Sequence, residues 1–118
     1  RLQMEVVLRN LLANAFDAVS DSPRQPRRIW VTAALESNDR VCLRVEDSGQ
    51  GLSARQAARI FEPFESTKSS GLGLGLSVSR AIVDIHGGRL WGEVANHGVF
   101  KIELPVADTE AVPPEEQV

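Results

Sequence analysis

The chain has no tyrosine, four phenylalanines and two tryptophans among 118 residues. So few aromatics argue against a sheet that stacks nucleic-acid bases. Positive charge is not in excess either: the net charge is −3, which gives no global case for a nucleic-acid partner. Cysteine occurs once, as Cys42, so neither a disulfide framework nor a cysteine metal site can be assembled. Its place in an apolar alternating run predicts a small core residue. No apolar run approaches the roughly 20 residues that a membrane helix requires. No signal peptide opens the chain, since Arg1 leads straight into a helical pattern. A start without Met is the expectation for a piece of a longer protein. What is present is ordinary: 42% hydrophobic and 25% charged residues, suited to one domain that buries a core without disulfides.

Residues 2–19 predict an amphipathic helix, with Met4, Leu8, Leu11, Leu12, Ala15 and Val19 at steps of three and four. Pro23 and Pro26 mark 21–28 as a loop. Alternation predicts strands over 28–35 and 41–47, joined as a hairpin through Ser37-Asn38-Asp39. A glycine-bearing turn, 48–52, precedes a short helix opened by Ser53, with Gln56 at capping-box spacing. Pro63 limits that helix, and the Ser- and Gly-rich run 65–75 reads as a mobile loop. A second amphipathic helix is expected over 76–86, with Val78, Ala81, Ile82 and Ile85 on its apolar face, stopped by Gly87-Gly88. Strands at 89–95 and 99–104 flank Asn96-His97-Gly98, and Pro105 ends the second. The acidic segment 106–118, with Pro113-Pro114, reads as a disordered tail or linker after a domain of residues 1–105. No internal repeat is visible. This order predicts an α+β chain: a two-layer sandwich with helices on one face of a mixed, mainly antiparallel sheet.

Four groups of residues carry possible chemistry. Asn10, Asn14 and Asp17 fall within an arc of about 60° on the first helix, with the apolar stripe expected on its far side. Amide and carboxylate oxygens suit Mg²⁺, which shares its ligands with waters and substrate phosphates; a plain solvated face is the alternative. Asp47-Ser48-Gly49-Gln50-Gly51 follows an apolar strand. A carboxylate there can accept a hydrogen bond from an amino group such as that of adenine, while glycines let backbone approach a flat ligand. A tight turn with a capping aspartate accounts for the same residues. Gly71-Leu72-Gly73-Leu74-Gly75 leads directly into a helix, so its backbone N–H groups can converge on an anion at a helix N-terminus. A flexible linker is the alternative, although leucines are poor linker residues. The spacing is neither the dinucleotide fingerprint nor a P-loop. Finally, Lys68 of Ser66-Thr67-Lys68 can close on a polyphosphate as a point charge, or be an ordinary solvated lysine.

Taken in order, these segments resemble the ATP-binding domain of sensor histidine kinases, within the wider family of gyrase, chaperone and mismatch-repair ATPases. The resemblance covers residues 2 to about 105. Asn10-Leu11-Leu12-Ala13-Asn14-Ala15 resembles the family's asparagine box, Asp47 to Gly51 its first glycine box, Ile60-Phe61-Glu62-Pro63-Phe64 its phenylalanine box, and Gly71 to Gly75 its second glycine box. His86-Gly87-Gly88 and Phe100 to Pro105 also fit the family's ending. The resemblance implies the Bergerat fold, with Asn14 on Mg²⁺, Asn10 beside the phosphates and also near the metal, and Asp47 on the adenine amino group. It further implies that Asp17, Gly49, Gly51, Phe61, Phe64, Lys68, Gly71, Gly73, Gly75 and Leu76 belong to the nucleotide site, with 65–75 as the ATP lid. Asn10, Asn14 and Lys68 would serve the reaction itself. The short lid with Ser66-Thr67-Lys68 is similar to the nitrogen-regulation and oxygen-sensing branch of these kinases.

Three departures stand out. Leu72 replaces a frequent Thr or Ser; Gly98 lies only two residues before Phe100, without the family's usual threonine; and the strand or two that the family places before the first helix are not in this sequence, which predicts an exposed sheet edge. Hydrolysing relatives carry a glutamate four residues before the box asparagine, where this chain has Asn10. An amide is a poor general base, so the resemblance implies transfer of the ATP γ-phosphate to a histidine on a separate helical dimerisation domain, with a response regulator downstream. His86, at a helix end, and His97, in a hairpin turn, are poor acceptors. The expected fragment is a monomeric, cytoplasmic domain without nucleic-acid or membrane contacts, in a parent that an inner-membrane anchor would suit. Rival readings are a serine kinase of the anti-sigma type on the same fold, a non-catalytic nucleotide-sensing or interaction module, and a plain structural domain.

Overall fold

A computed structural model of the chain describes residues 2–37, 39–62 and 75–106. The elements run α1 (Leu2–Asp21), β1 (Ile29–Ser37), β2 (Arg40–Asp47), α2 (Ala54–Arg59), α3 (Gly75–Ile85), β3 (Arg89–Gly92) and β4 (Gly98–Pro105). The four strands form one sheet in the order β1-β2-β4-β3. Each of its three pairings is antiparallel, so the expected sheet is met in its antiparallel part, and no parallel pair occurs among the described residues. Both expected hairpins are present, and β1 and β3 form the edges.

One face of the sheet carries α1 and α3. The core is Val7, Leu11 and Ala15 of α1, Val83 of α3, and Val45, Leu90, Phe100 and Ile102 of the strands. Each Val, Leu, Ile or Phe side chain among them taken from water contributes about 1.5–3 kcal/mol before chain entropy is counted. On α1 the buried stripe is Val7, Leu11, Ala15 and Val19, whereas Leu12 is exposed. Both sets fit a helical period; the strands decide between them by covering the Val7 side. On α3 the expected face of Val78, Ala81, Ile82 and Ile85 is corrected except at Ile82, which is half-buried against the core. Val78 and Ile85 are exposed, and the fully buried residues are Ser79 and Val83. A serine can face inward here because Asn10 Nδ2 donates a hydrogen bond to its Oγ at 3.1 Å.

Strand β1 has little cover. Ile29 is half-buried and every other residue of the strand is exposed, because α1 lies over β2 and β4. Cys42 is a buried apolar residue as expected, though outside the cluster beneath the helices. It pairs with Ala34 and Glu103, while Leu43 and Val45 alternate onto the helix-covered face. Burial raises the pKa of its thiol, and the nearby Glu36 adds to the shift. Strand β3 stops at Gly92 rather than 95, because Ala95 leaves β4 to bridge Leu52.

The local signals at helix ends are realised. Gln56 N–H donates to Ser53 Oγ at 3.2 Å and Ser53 N–H donates to Gln56 Oε1 at 2.9 Å, completing the capping box. Replacing Ser53 by Ala is expected to cost about 1 kcal/mol, read as a lower midpoint in urea with an unchanged slope. Helix α3 ends with Gly87 at φ 77°. Gly87 N–H bonds the Asp84 carbonyl and Gly88 N–H the Val83 carbonyl, each at 3.0 Å, the Schellman pattern. His86 caps the same turn through Nδ1 on the Ile82 carbonyl at 2.8 Å.

Candidate functional site

Asn10, Asn14 and Asp17 do share one side of α1, and all three are half-buried. They flank the buried stripe rather than oppose it. The reason is the shift of that stripe toward Val7, which brings the polar line to the seam between α1 and α3. At that seam Asn10 Nδ2 donates to the Gly75 carbonyl at 3.2 Å as well as to Ser79 Oγ. The amide nitrogen of Asn10 is thus committed to the start of α3. Its carbonyl oxygen is the atom it has to offer a ligand. Asn14, one turn on, lines a cavity beside the sheet.

Asp47 is the last residue of β2 and is only 1% exposed. Its Oδ1 accepts the Gly49 N–H at 2.8 Å. Opposite it in register is Gly98, packed so closely that a Cβ there would overlap the Asp47 carboxylate. The turn after β2 closes at Gly51, with φ 81°, where a Cβ would fall 2.7 Å from His97 N. Two requirements coincide at Gly51: a left-handed backbone and room for a neighbouring backbone. The turn 48–52 and the hairpin 95–98 are therefore one packed unit. Arg24 holds them from outside, as Nη1 donates to the carbonyls of Gly49, at 3.1 Å, and Asn96.

The cavity, of about 200 Å³, lies between this unit and α1. Asn14, Asp47 and Gly51 line it together with Ala18, Asp21, Ser22, Gln50, Leu52, Gln56, Ile60, Gly98 and Phe100. Apolar walls and a single buried carboxylate suit a flat ligand that is mostly apolar on its faces and donates a hydrogen bond from its edge.

Other expected site residues fall elsewhere. Phe61 packs edge-on against Phe100, with ring centroids 6.2 Å apart, and the Arg80 guanidinium stands 5.1 Å from the Phe61 ring centroid. It thus supports a cavity wall instead of lining the cavity. Leu76 packs against the core. Asp17 is on α1 beyond the cavity lining, and Gly75 is at the first turn of α3 under Asn10. Phe64, Lys68, Gly71 and Gly73, with the rest of 63–74 and residues 107–118 of the expected tail 106–118, lie outside the described residues. His97 is in the hairpin, with Nε2 3.0 Å from Glu46 Oε2. Sequence reasoning missed Arg24 and Ser79. A serine in phase with Leu76 and Val83 was the available signal for Ser79; a loop arginine gave none for Arg24. Among the described residues no helix is long and apolar enough to cross a membrane.

Comparison with known proteins identifies the family and the fold. Residues 1–108 match the family described as histidine kinase-, DNA gyrase B-, and HSP90-like ATPase. The chain is 39% identical over 110 residues to the sensor protein FixL of Bradyrhizobium diazoefficiens, covering 92% of this chain and 21% of that protein. It is 42% identical over 108 residues to the C4-dicarboxylate transport sensor protein DctS of Rhodobacter capsulatus, covering 90% and 16%. The chain thus spans about a fifth of such relatives. Among solved structures, the catalytic domain of histidine kinase ThkA superposes with a TM-score of 0.73 at 35% identity, over 88% of this chain and 67% of that one. Fold and sequence similarity coincide, and the chain belongs to the histidine kinase-, DNA gyrase B-, and HSP90-like ATPase family.

Proposed function

We propose that this domain binds Mg-ATP and donates the γ-phosphate to a histidine on a separate helical domain of a two-component signalling kinase. The observation that carries this reading is the buried Asp47 carboxylate at a cavity whose other wall holds Asn14. Asp47 would accept the adenine amino group, and Leu52, Ile60 and Phe100 would cover the faces of the ring. From there the phosphates would run toward Asn14, Asn10 and Gly75, with Lys68, Gly71 and Gly73 completing the phosphate side.

The donor set fits Mg²⁺, which takes oxygen ligands, keeps waters and shares substrate phosphates. Asn14 would hold the ion, which when bound neutralises charge between the phosphates. For transfer, an imidazole nitrogen attacks the γ-phosphorus as the bond to the β–γ bridging oxygen breaks. ADP leaves, and the imidazole loses its proton to solvent. The protein's part is positioning and charge stabilisation. Position 10 supports transfer over hydrolysis: an amide there, committed to Ser79 and Gly75, cannot take a proton from water. The phosphohistidine would then supply a response regulator. Because ATP is the substrate, the domain would work in the cytoplasm.

The test is to mix the domain with candidate histidine-bearing helical domains and γ-labelled ATP. Acid-labile label on the partner is the expected result. Acid-stable label would indicate a serine acceptor instead, and free phosphate without transfer would indicate an ATPase; either overturns the histidine assignment.

A further inference from the structure

We infer that Arg24 is a positioning residue for the base end of the nucleotide site, acting on Asp47 through backbone it does not share. The inference rests on the nucleotide reading above, but its geometry stands apart from it. Two loops far apart in sequence meet around the Asp47 carboxylate. The turn 48–52 supplies the Gly49 N–H to Oδ1. The hairpin supplies Gly98, packed against the same carboxylate. One nitrogen of Arg24 bridges these loops on their outer side, donating to the carbonyls of Gly49 and Asn96. Those partners lie 25 and 72 positions away, so the bridge is tertiary, not a local turn feature.

The loop carrying Arg24 is itself held. Arg24 N–H donates to Ser22 Oγ at 3.2 Å, and Ser22 is 3% exposed. Arg27 Nε donates to the Val19 carbonyl at the end of α1, at 2.9 Å. Arg28 and Ser48 exchange two bonds, Arg28 N–H to Ser48 Oγ at 2.8 Å and Ser48 N–H to the Arg28 carbonyl at 2.9 Å. The guanidinium therefore approaches from a fixed anchor and ties three segments into one rim. A cation on two carbonyls makes charge-assisted bonds, which are stronger than neutral ones. Without it, Gly49 and the hairpin can separate, water reaches Asp47, and its acceptor oxygen is no longer held for the base. The Arg24 guanidinium bonds the Gly49 and Asn96 carbonyls, so its contribution is to the base end alone.

The test compares Arg24→Gln and Arg24→Lys with the wild-type domain by calorimetric titration of Mg-ATP and Mg-ADP. Arg24→Gln is expected to weaken both nucleotides by the same factor, roughly tenfold or more. Arg24→Lys, which keeps the charge but not the planar fork, should lie between. Amide hydrogen exchange on the nucleotide-free protein supplies the second measurement. Gly49 N–H should exchange faster in Arg24→Gln, with the α1 and α3 core amides unchanged. A loss larger for ATP than for ADP would make Arg24 a phosphate ligand and overturn the inference, as would unchanged affinity together with unchanged Gly49 exchange. If the wild-type domain binds neither nucleotide, the functional reading fails, and the exchange measurement alone decides the role of Arg24.

Discussion

Replacing Asp47 by Asn is expected to weaken Mg-ATP binding on the order of a hundredfold while leaving the fold intact. The substitution is nearly isosteric, so packing against Gly98 is retained. What changes is the number of acceptors. The carboxylate offers two oxygens, and one already takes the Gly49 N–H at 2.8 Å. An amide offers one. Either it keeps the Gly49 bond and turns its NH₂ toward the cavity, or it faces the base with oxygen and sets NH₂ against the Gly49 N–H. Both arrangements place donor against donor in a site that is 1% exposed, where an unmatched polar group carries its full desolvation cost. Titration of Mg-ATP into Asp47→Asn, with a thermal melt to confirm folding, checks this. Wild-type affinity in the folded variant would remove Asp47 from the base-binding role.

Gly51→Ala is the second large effect, and it acts on stability as well as binding. Its φ of 81° costs an alanine about 1–2 kcal/mol. The added Cβ would also meet backbone: the Ala95 carbonyl, and His97 N and O at 2.7 Å each. Backbone on both sides cannot rotate away as a side chain would. Relief requires the turn 48–52 to part from the hairpin, breaking the Leu52–Ala95 bridge. Strain and overpacking together are expected to cost roughly 2–5 kcal/mol. A fall in the denaturant midpoint and loss of nucleotide binding should appear together. Gly75→Ala is the useful contrast, since the nearest atom to its Cβ would be Asn10 Cγ at an ordinary 3.7 Å.

These effects concern the part of the site that was readable from sequence. Asp47, Gly49 and Gly51 lie within five residues at the end of a strand and obey local rules for turns and close approach. The capping box at Ser53 and Gln56 and the helix stop at Gly87 were legible for the same reason: each is settled within a few residues. What local patterns could not settle is which face of an element meets the sheet. Val7 and Leu12 both fit the period of α1, and the strands select Val7. Ser79 is buried only because Asn10, 69 positions away, satisfies its hydroxyl. Cys42 sits in an apolar run, yet the register of β2 turns it to the outer face. Arg24 and Asn96 meet through the fold alone. Phe61 was singled out as a nucleotide-site residue, but it packs on Phe100 behind the cavity. Motifs mark where chemistry gathers; tertiary pairing decides which members face the ligand and which support those that do.

Asp47 and Asn14 are expected to hold the two ends of one Mg-ATP molecule. Calorimetric titration of the wild-type domain with ATP, with and without Mg²⁺, tests this most directly when repeated on Asp47→Asn and Asn14→Ala. One nucleotide is expected to bind per chain, weakened by Asp47→Asn whether or not Mg²⁺ is present, and by Asn14→Ala chiefly when it is. No binding by the wild-type domain, or binding that neither substitution alters, would contradict it.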